Sequence, residues 1–337
     1  MTDKKILKKG SLDELIKKLK SGGKRVYAPV DKGGKILFNE VDSAAAMAAD
    51  YVQTTLSAKD VILPRCEEMM RFTTGQGTVA MEKEPDMPPS AVVIGVRPCD
   101  ARSIAVVNAV YLKDYNDALY KSKIDNTTIV GISCAKCDEY CFCTSVNGSP
   151  GGTEGSDILL TEVEGGNYLA EIVTEKGKAL AAAAPELFTA AGNEDKEKHL
   201  ADVKVQFDIK AVTAKLPDMF DAGVWITQSL RCIGCGTCSY VCPACTCFDI
   251  QDETDGNRGV RLRCWDSCGF GQFTLHTSGH NPREVQSQRW RQRIMHKFSY
   301  QPDQLQVTGC VGCGRCSRAC PVDMNILEHI KDIFEAK

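Results

Sequence analysis

Two cysteine runs near the C-terminus constrain this chain more than any other feature. Cys232-x2-Cys235-x2-Cys238-x3-Cys242-Pro243 is repeated, spacing for spacing, as Cys310-x2-Cys313-x2-Cys316-x3-Cys320-Pro321. This is the pattern that holds a pair of 4Fe-4S cubanes. Three thiolates on one tight loop reach three irons of a cube, and the fourth, followed by proline, points to a second cube. The ligand sets therefore interlock: Cys232, Cys235, Cys238 and Cys320 for the first cluster, and Cys310, Cys313, Cys316 and Cys242 for the second. Glycines at 234, 236, 312 and 314 suit a loop that wraps a cluster with unusual dihedrals. Zinc knuckles are the competing reading. Their ligands come as two Cys-x-x-Cys pairs or as Cys with His, and two identical runs closed by Cys-Pro fit them poorly.

The chain has 18 cysteines in 337 residues, clustered in metal-ligand spacings and below the density of short secreted disulfide domains. No apolar region follows Met1-Thr-Asp-Lys-Lys, and no run of 18 apolar residues occurs. A cytoplasmic protein without a membrane span is expected. The formal charge of −3 offers no general attraction to nucleic acid. The length is that of two domains with real cores.

The first half reads as mixed α/β. Ser11 to Lys20 carries apolar residues at 12, 15, 16 and 19 behind a serine cap, which predicts an amphipathic helix. Strands are expected at 25–28 and 35–38, and a second helix at about 57–71. The buried-strand run 91–97, the helix 101–112 and the strand 127–132 form a β-α-β unit. A hairpin at 157–163 and 168–173 and an alanine-rich helix from 175 to Pro185 follow. The resulting organisation is α+β: a mixed α/β domain over 1–192, a charged helical linker over 193–225, and the cluster domain over 226–337.

Cysteines mark the strand ends of the first half. Cys99 follows one apolar strand, and Cys134, Cys137, Cys141 and Cys143 follow the next. Open α/β sheets place ligands at such ends. A third 4Fe-4S cluster on Cys99, Cys134, Cys141 and Cys143 is expected; inert thiols or zinc are the alternative. A further group, Cys245, Cys247, Cys264 and Cys268, leaves three readings open: another cluster, an electron path, or a structural role. Cys66, alone in the expected second helix, reads as a small core residue.

The long insert between the runs is basic, with eight Lys or Arg against two acids over 256–300, including Arg289, Arg291, Arg293 and Lys297. It is read as a solvated helical face or as a surface for a partner protein. The patch is local and lacks the aromatic interleaving of single-strand binders, so no nucleic acid is expected. His276 and His280, four apart, read as ordinary histidines. Gly75-Gln-Gly77-Thr-Val-Ala80 matches a dinucleotide glycine pattern, but no apolar strand precedes it and Pro85 follows too soon for a helix. No phosphate loop, haem attachment motif or nucleophile elbow occurs.

Arg25-Val-Tyr-Ala-Pro, Val96-Arg-Pro-Cys-Asp100, Cys141-Phe-Cys-Thr-Ser, Cys232-Ile-Gly-Cys-Gly-Thr-Cys, Cys242-Pro-Ala-Cys-Thr-Cys247-Phe-Asp, Trp265-Asp-Ser-Cys268, His280-Asn-Pro-Arg and Arg291-Gln-Arg run nearly the whole length. Together they resemble the dicluster iron-sulfur electron-transfer family. Its members include the β subunit of NiFe sulfhydrogenases and the iron-sulfur subunits of anaerobic sulfite reductase and of the NADH-oxidising module that feeds heterodisulfide reductase. The resemblance implies a mainly helical C-terminal domain of the α-helical ferredoxin type. It also implies a neighbouring protein that binds FAD and NAD(P)H, and a separate hydrogenase, heterodisulfide reductase or sulfite reductase subunit. Cys99, Cys134, Cys141, Cys143, Cys245, Cys247 and Cys268 match family positions, whereas Cys137 and Cys264 do not. The expected function is a non-catalytic relay of single electrons. The alternatives are a self-contained iron-sulfur oxidoreductase and a zinc-stabilised assembly scaffold.

Overall fold

The computed structural model describes residues 3–82 and 88–336. In chain order its strands are β1 (Asp3–Leu7), β2 (Arg25–Asp31), β3 (Ile36–Glu40), β4 (Cys66–Gly75), β5 (Thr78–Met81), β6 (Ala91–Val96), β7 (Thr127–Ile132), β8 (Ile158–Glu162), β9 (Tyr168–Ile172), β10 (Phe188–Ala190), β11 (Phe248–Asp255) and β12 (Arg258–Trp265). The large sheet has the order β10-β1-β9-β8-β7-β6-β2-β3. Its centre is parallel, β2 to β6, β6 to β7 and β7 to β8, and antiparallel strands close both flanks. The continuous apolar run Ala91–Val96 is buried at every position, as expected for a parallel strand covered on both faces.

The helix Ser11–Ser21 buries Leu12, Leu15, Ile16 and Leu19 against this sheet, with Asp13 and Glu14 in its first turn and Lys18 and Lys20 in its last. Gly10 occupies the capping position, so Ser11 is already helical and caps nothing. The expected hairpin is β8–β9, and the expected alanine-rich helix is Glu175–Ala182.

The expected helix at 57–71 is replaced by a single turn, Lys59–Ile62, followed by β4. Residues 66–81 fold as the hairpin β4–β5, which pairs antiparallel with the hairpin β11–β12 in a second sheet of order β11-β12-β4-β5. That sheet joins the first half of the chain to the insert between the cysteine runs. The Gly75–Gly77 segment is the tip of β4–β5, with Gly77 at φ +71°, not a nucleotide loop. Pro85 lies outside the described residues. Cys66 opens β4 and is exposed; it sits opposite Cys264 of β12, disulfide-bonded to it with Cα atoms 4.1 Å apart. It is therefore neither helical nor a core residue.

Beyond 193 the chain runs through the short turn Lys196–His199, a segment without regular structure, and the helix Ile209–Lys215. Residues 226–336 contain short helices and the β11–β12 hairpin. Their apolar core joins Trp225, Trp290, Ile294, Phe298, Ile326 and Ile330, and it takes in Phe142 and Val146 from the loop after β7. The two halves of the chain therefore share buried contacts where the cysteines lie. Among the described residues no helix is long and apolar enough to cross a membrane.

Candidate metal centres

The first C-terminal run is a loop that enters the turn Thr237–Tyr240 with Gly234 at φ +67° and Gly236 at φ +74°. Cys232, Cys235, Cys238 and Cys320 line one cavity with Trp290 and Arg293. The distant Cys320 lies on the same wall, and Cys316 and Cys268 border the cavity as well. Two N–H groups point at these sulfurs: Gln286 Nε2 to Cys232 Sγ at 3.0 Å and Met324 N to Cys320 Sγ at 3.2 Å. Such donors favour the more negative state of a bound cluster and raise its potential. Cys235 is the exposed corner, flanked by exposed Leu230 and Ile233.

The second run repeats the local geometry, with Gly312 at φ +66° and Gly314 at φ +70°. Cys310, Cys313 and Cys242 are buried, and Lys297 Nζ lies 3.4 Å from Cys242 Sγ. The basic insert is thus not simply a solvated face. Arg293 and Lys297, only 3% and 4% exposed, turn inward onto cysteine sulfur, while Arg291 stacks on the Phe220 ring at 3.7 Å. A sequence of alternating Arg and Gln hides this, because the sulfur side of each contact lies about fifty residues away in the chain.

Cys99, Cys134, Cys141 and Cys143 line a third cavity. Cys99 is the second residue of the helix Pro98–Tyr111, whose N-terminal dipole favours an anion. Cys134 follows β7, and Cys141 and Cys143 flank Phe142, which anchors the loop in the C-terminal core. Gln53 Nε2 and Arg318 Nη2 approach Cys99 Sγ and Cys141 Sγ, each at 3.2 Å. Cys137 also borders this cavity, but its thiol donates to Asp202 O at 3.6 Å.

The third cavity also touches Gly312 and Cys313 of the second run. Phe142 N donates to Gly312 O at 3.0 Å, and Arg318 bridges the loops by bonding Cys313 O at 2.7 Å and Asp138 Oδ2 at 2.7 Å. Arg315 makes a bidentate pair with Asp100, the neighbour of Cys99. Neither arginine had a signal in the sequence beyond its place inside a ligand loop.

Of the remaining thiols, Cys268 borders the first cavity, and Cys245 and Cys247 lie within electrostatic reach of it. Cys264 pairs with Cys66 in a disulfide. A hydrogen bond from Cys247, helped by Arg293, pulls the Cys268 thiol down to about 6. Elsewhere desolvation acts the other way and pushes Cys143 and Cys316 up to about 12.

Unfolded thiols ionise near 9.0, whereas these folded thiols ionise only near 12. The folded state therefore keeps their contribution below pH 9 and loses it as the pH rises towards 12. Urea midpoints of the iron-free chain are expected to fall over that window. A flat profile would mean that these thiols are solvated.

The residues present suit cubanes: six thiols line each of the first and third cavities, N–H donors face the sulfurs, and the cationic side chain of Arg293 is buried with its Nε unpartnered. Among the described residues no three His, Cys, Asp or Glu groups gather as tightly as a single ion requires. A cubane instead binds each thiolate to a separate iron.

Fold and thiol arrays together define an iron-sulfur electron-transfer protein. Residues 231–324 match the 4Fe-4S dicluster domain family, which assigns two 4Fe-4S clusters to the chain. Over 332 residues the chain is 32% identical to sulfhydrogenase 2 subunit beta of Pyrococcus furiosus, covering 96% of this chain and 95% of that one. The chain belongs to the dicluster 4Fe-4S electron-transfer subunits of the sulfhydrogenase β type. No solved structure matches it.

Proposed function

We propose that this chain relays single electrons through three 4Fe-4S sites, between a partner that binds FAD and NAD(P)H and a terminal hydrogenase subunit in a cytoplasmic complex. A heterodisulfide or sulfite reductase subunit is the other destination open to the same relay. The first two sites use Cys232, Cys235, Cys238 and Cys320, and Cys310, Cys313, Cys316 and Cys242; the third uses Cys99, Cys134, Cys141 and Cys143. Residues 226–337 are read as an α-helical ferredoxin-type unit carrying the β11–β12 hairpin as an insertion. The full-length likeness to a sulfhydrogenase subunit supports the hydrogenase partner.

The observation that carries the relay is the direct contact between the loop of the third site and that of the second, through Phe142 N and Gly312 O. When bound, clusters supply one-electron redox centres that divide the two-electron chemistry of a flavin. The protein's part is to hold the loops in contact, exclude water from Cys310 and Cys313, and aim N–H groups at sulfur. The exposed edge of the first site, with Leu230 and Ile233 beside Cys235, is suited to a docked partner.

Anaerobically purified chain is expected to hold at least about twelve irons, and Cys141→Ser/Cys143→Ser about four fewer with the C-terminal pair intact by EPR. Equal iron in both forms would remove the third site. Ile233→Asp is expected to keep all iron but to lower the rate of electron transfer to a co-purified partner at least tenfold; an unchanged rate would move the docking edge elsewhere.

A further inference from the structure

Three cations are buried around one cysteine that neither C-terminal ligand set uses. Lys59, Arg293 and Lys297 are 5%, 3% and 4% exposed. Lys59 Nζ bonds Cys245 O at 2.8 Å and lies 3.7 Å from the centre of the Trp265 ring. Arg293 places Nη1 3.5 Å from Cys245 Sγ and bonds Cys238 O at 2.7 Å through Nη2, while its Nε has no partner. Lys297 reaches Cys242 Sγ and bonds Gly309 O at 2.7 Å. Among the described residues no carboxylate pairs with any of the three, and their polar partners are sulfurs and main-chain carbonyls.

Burying a cation without an opposing charge costs several kcal/mol, so buried charges are paired or sit beside metal centres. Lys297 faces Cys242 and finds its counter-charge in the second site. Lys59 and Arg293 meet at Cys245, and Arg293 also lines the first cavity, where Cys238 lies beside it. A neutral thiol does not balance them, whereas metal-bound thiolates do.

Two more thiols complete the setting. Cys247 lies beside Cys268, and Cys268 Sγ is 3.9 Å from Ser239 Oγ, itself fixed by Ser267 Oγ at 3.0 Å. The hairpin β11–β12 brings them together: Cys247 precedes β11, Cys268 follows β12, and Asp266 N bonds Cys247 O at 3.0 Å across its base. Cys245 is two residues from Cys247, beneath the cations.

We propose that Cys245, Cys247 and Cys268 hold an additional iron-sulfur cluster, with Lys59 and Arg293 as its buried counter-charges. Three cysteines leave one iron to an oxygen ligand or to solvent. This cluster lies beside the first site, because Cys268 borders that cavity, and beside the second, because the Cys245 and Cys242 thiols are hydrogen-bonded.

The test compares iron and acid-labile sulfide, with EPR after stepwise reduction, in the wild-type chain, Cys247→Ser/Cys268→Ser and Cys141→Ser/Cys143→Ser. About sixteen irons in the wild type and about four fewer in each variant are expected. Wild-type iron in Cys247→Ser/Cys268→Ser overturns the proposal while leaving the three-site relay in place. Should that variant not fold, iron in Cys141→Ser/Cys143→Ser decides: about twelve supports the additional cluster, and about eight overturns it. Arg293→Gln, which keeps the side chain's length and removes its charge, is expected to shift one further EPR signal to a lower potential. An unshifted set of signals overturns the assigned role of Arg293.

Discussion

Asp100→Ala is expected to destabilise the folded chain by about 3–5 kcal/mol, because it leaves the Arg315 guanidinium buried without an opposing charge. Both residues are 2% exposed. Arg315 sits inside the second cysteine run and crosses to the first half of the chain, where Nη1 and Nη2 take both oxygens of Asp100. Nε donates to Thr54 O at 2.8 Å, and Nη2 also meets Gln53 Oε1 at 2.7 Å. Gln53 in turn points its Nε2 at Cys99 Sγ, and Asp100 is the next residue after Cys99. One arginine therefore ties the second cysteine run to Cys99, which belongs to the proposed third site, and to the segment over both. Loss of Asp100 is expected to release iron from the third site before the C-terminal pair. Replacing both partners, as Asp100→Leu with Arg315→Met, removes the stranded charge and is expected to recover most of the loss. Urea midpoints and iron content, measured anaerobically, check both statements. A single variant within about 1 kcal/mol of wild type would place this pair with the weak surface bridges.

The sequence was most legible where the chemistry is local. The repeated ligand runs, the apolar strand β6 and the helix Ser11–Ser21 are each set by residues a few positions apart, and periodicity reads them directly. The strand-end position of Cys99 and Cys134 could be foreseen because parallel sheets present ligands at that edge. The sheet of β4, β5, β11 and β12 could not. Its partners, such as Cys66 and Cys264, are 198 residues apart, and the helical spacing of Ala58, Val61 and Ile62 supports only one turn before Pro64. The buried cations were hidden for a related reason. A basic run looks solvated until the sulfurs facing it are known, and those belong to another loop.

Gly312→Ala is expected to separate the second site from the third, and a matched glycine shows why the effect is not simply backbone strain. Gly312 has φ +66° and Gly234 has φ +67°, at equivalent places in the two runs. An alanine costs about 1–2 kcal/mol at either position for its left-handed backbone. The surroundings differ. At Gly234 the new Cβ would meet Gln286 Oε1 at 3.2 Å, the end of a flexible side chain that can move aside. At Gly312 it would lie 2.5 Å from Cys143 N and from Phe142 C, main-chain atoms held by the buried Phe142 ring. The loops must then part, at a further cost of about 1–3 kcal/mol, and the bond from Phe142 N to Gly312 O is lost with them. Gly234→Ala is therefore expected to lose only about 1–2 kcal/mol and to keep all iron. Gly312→Ala is expected to lose about 2–5 kcal/mol and to weaken the magnetic coupling between the second and third clusters in reduced EPR spectra. Equal losses in the two variants, with coupling unchanged, would mean that the loops touch without depending on each other, and the relay would then need another route between these sites.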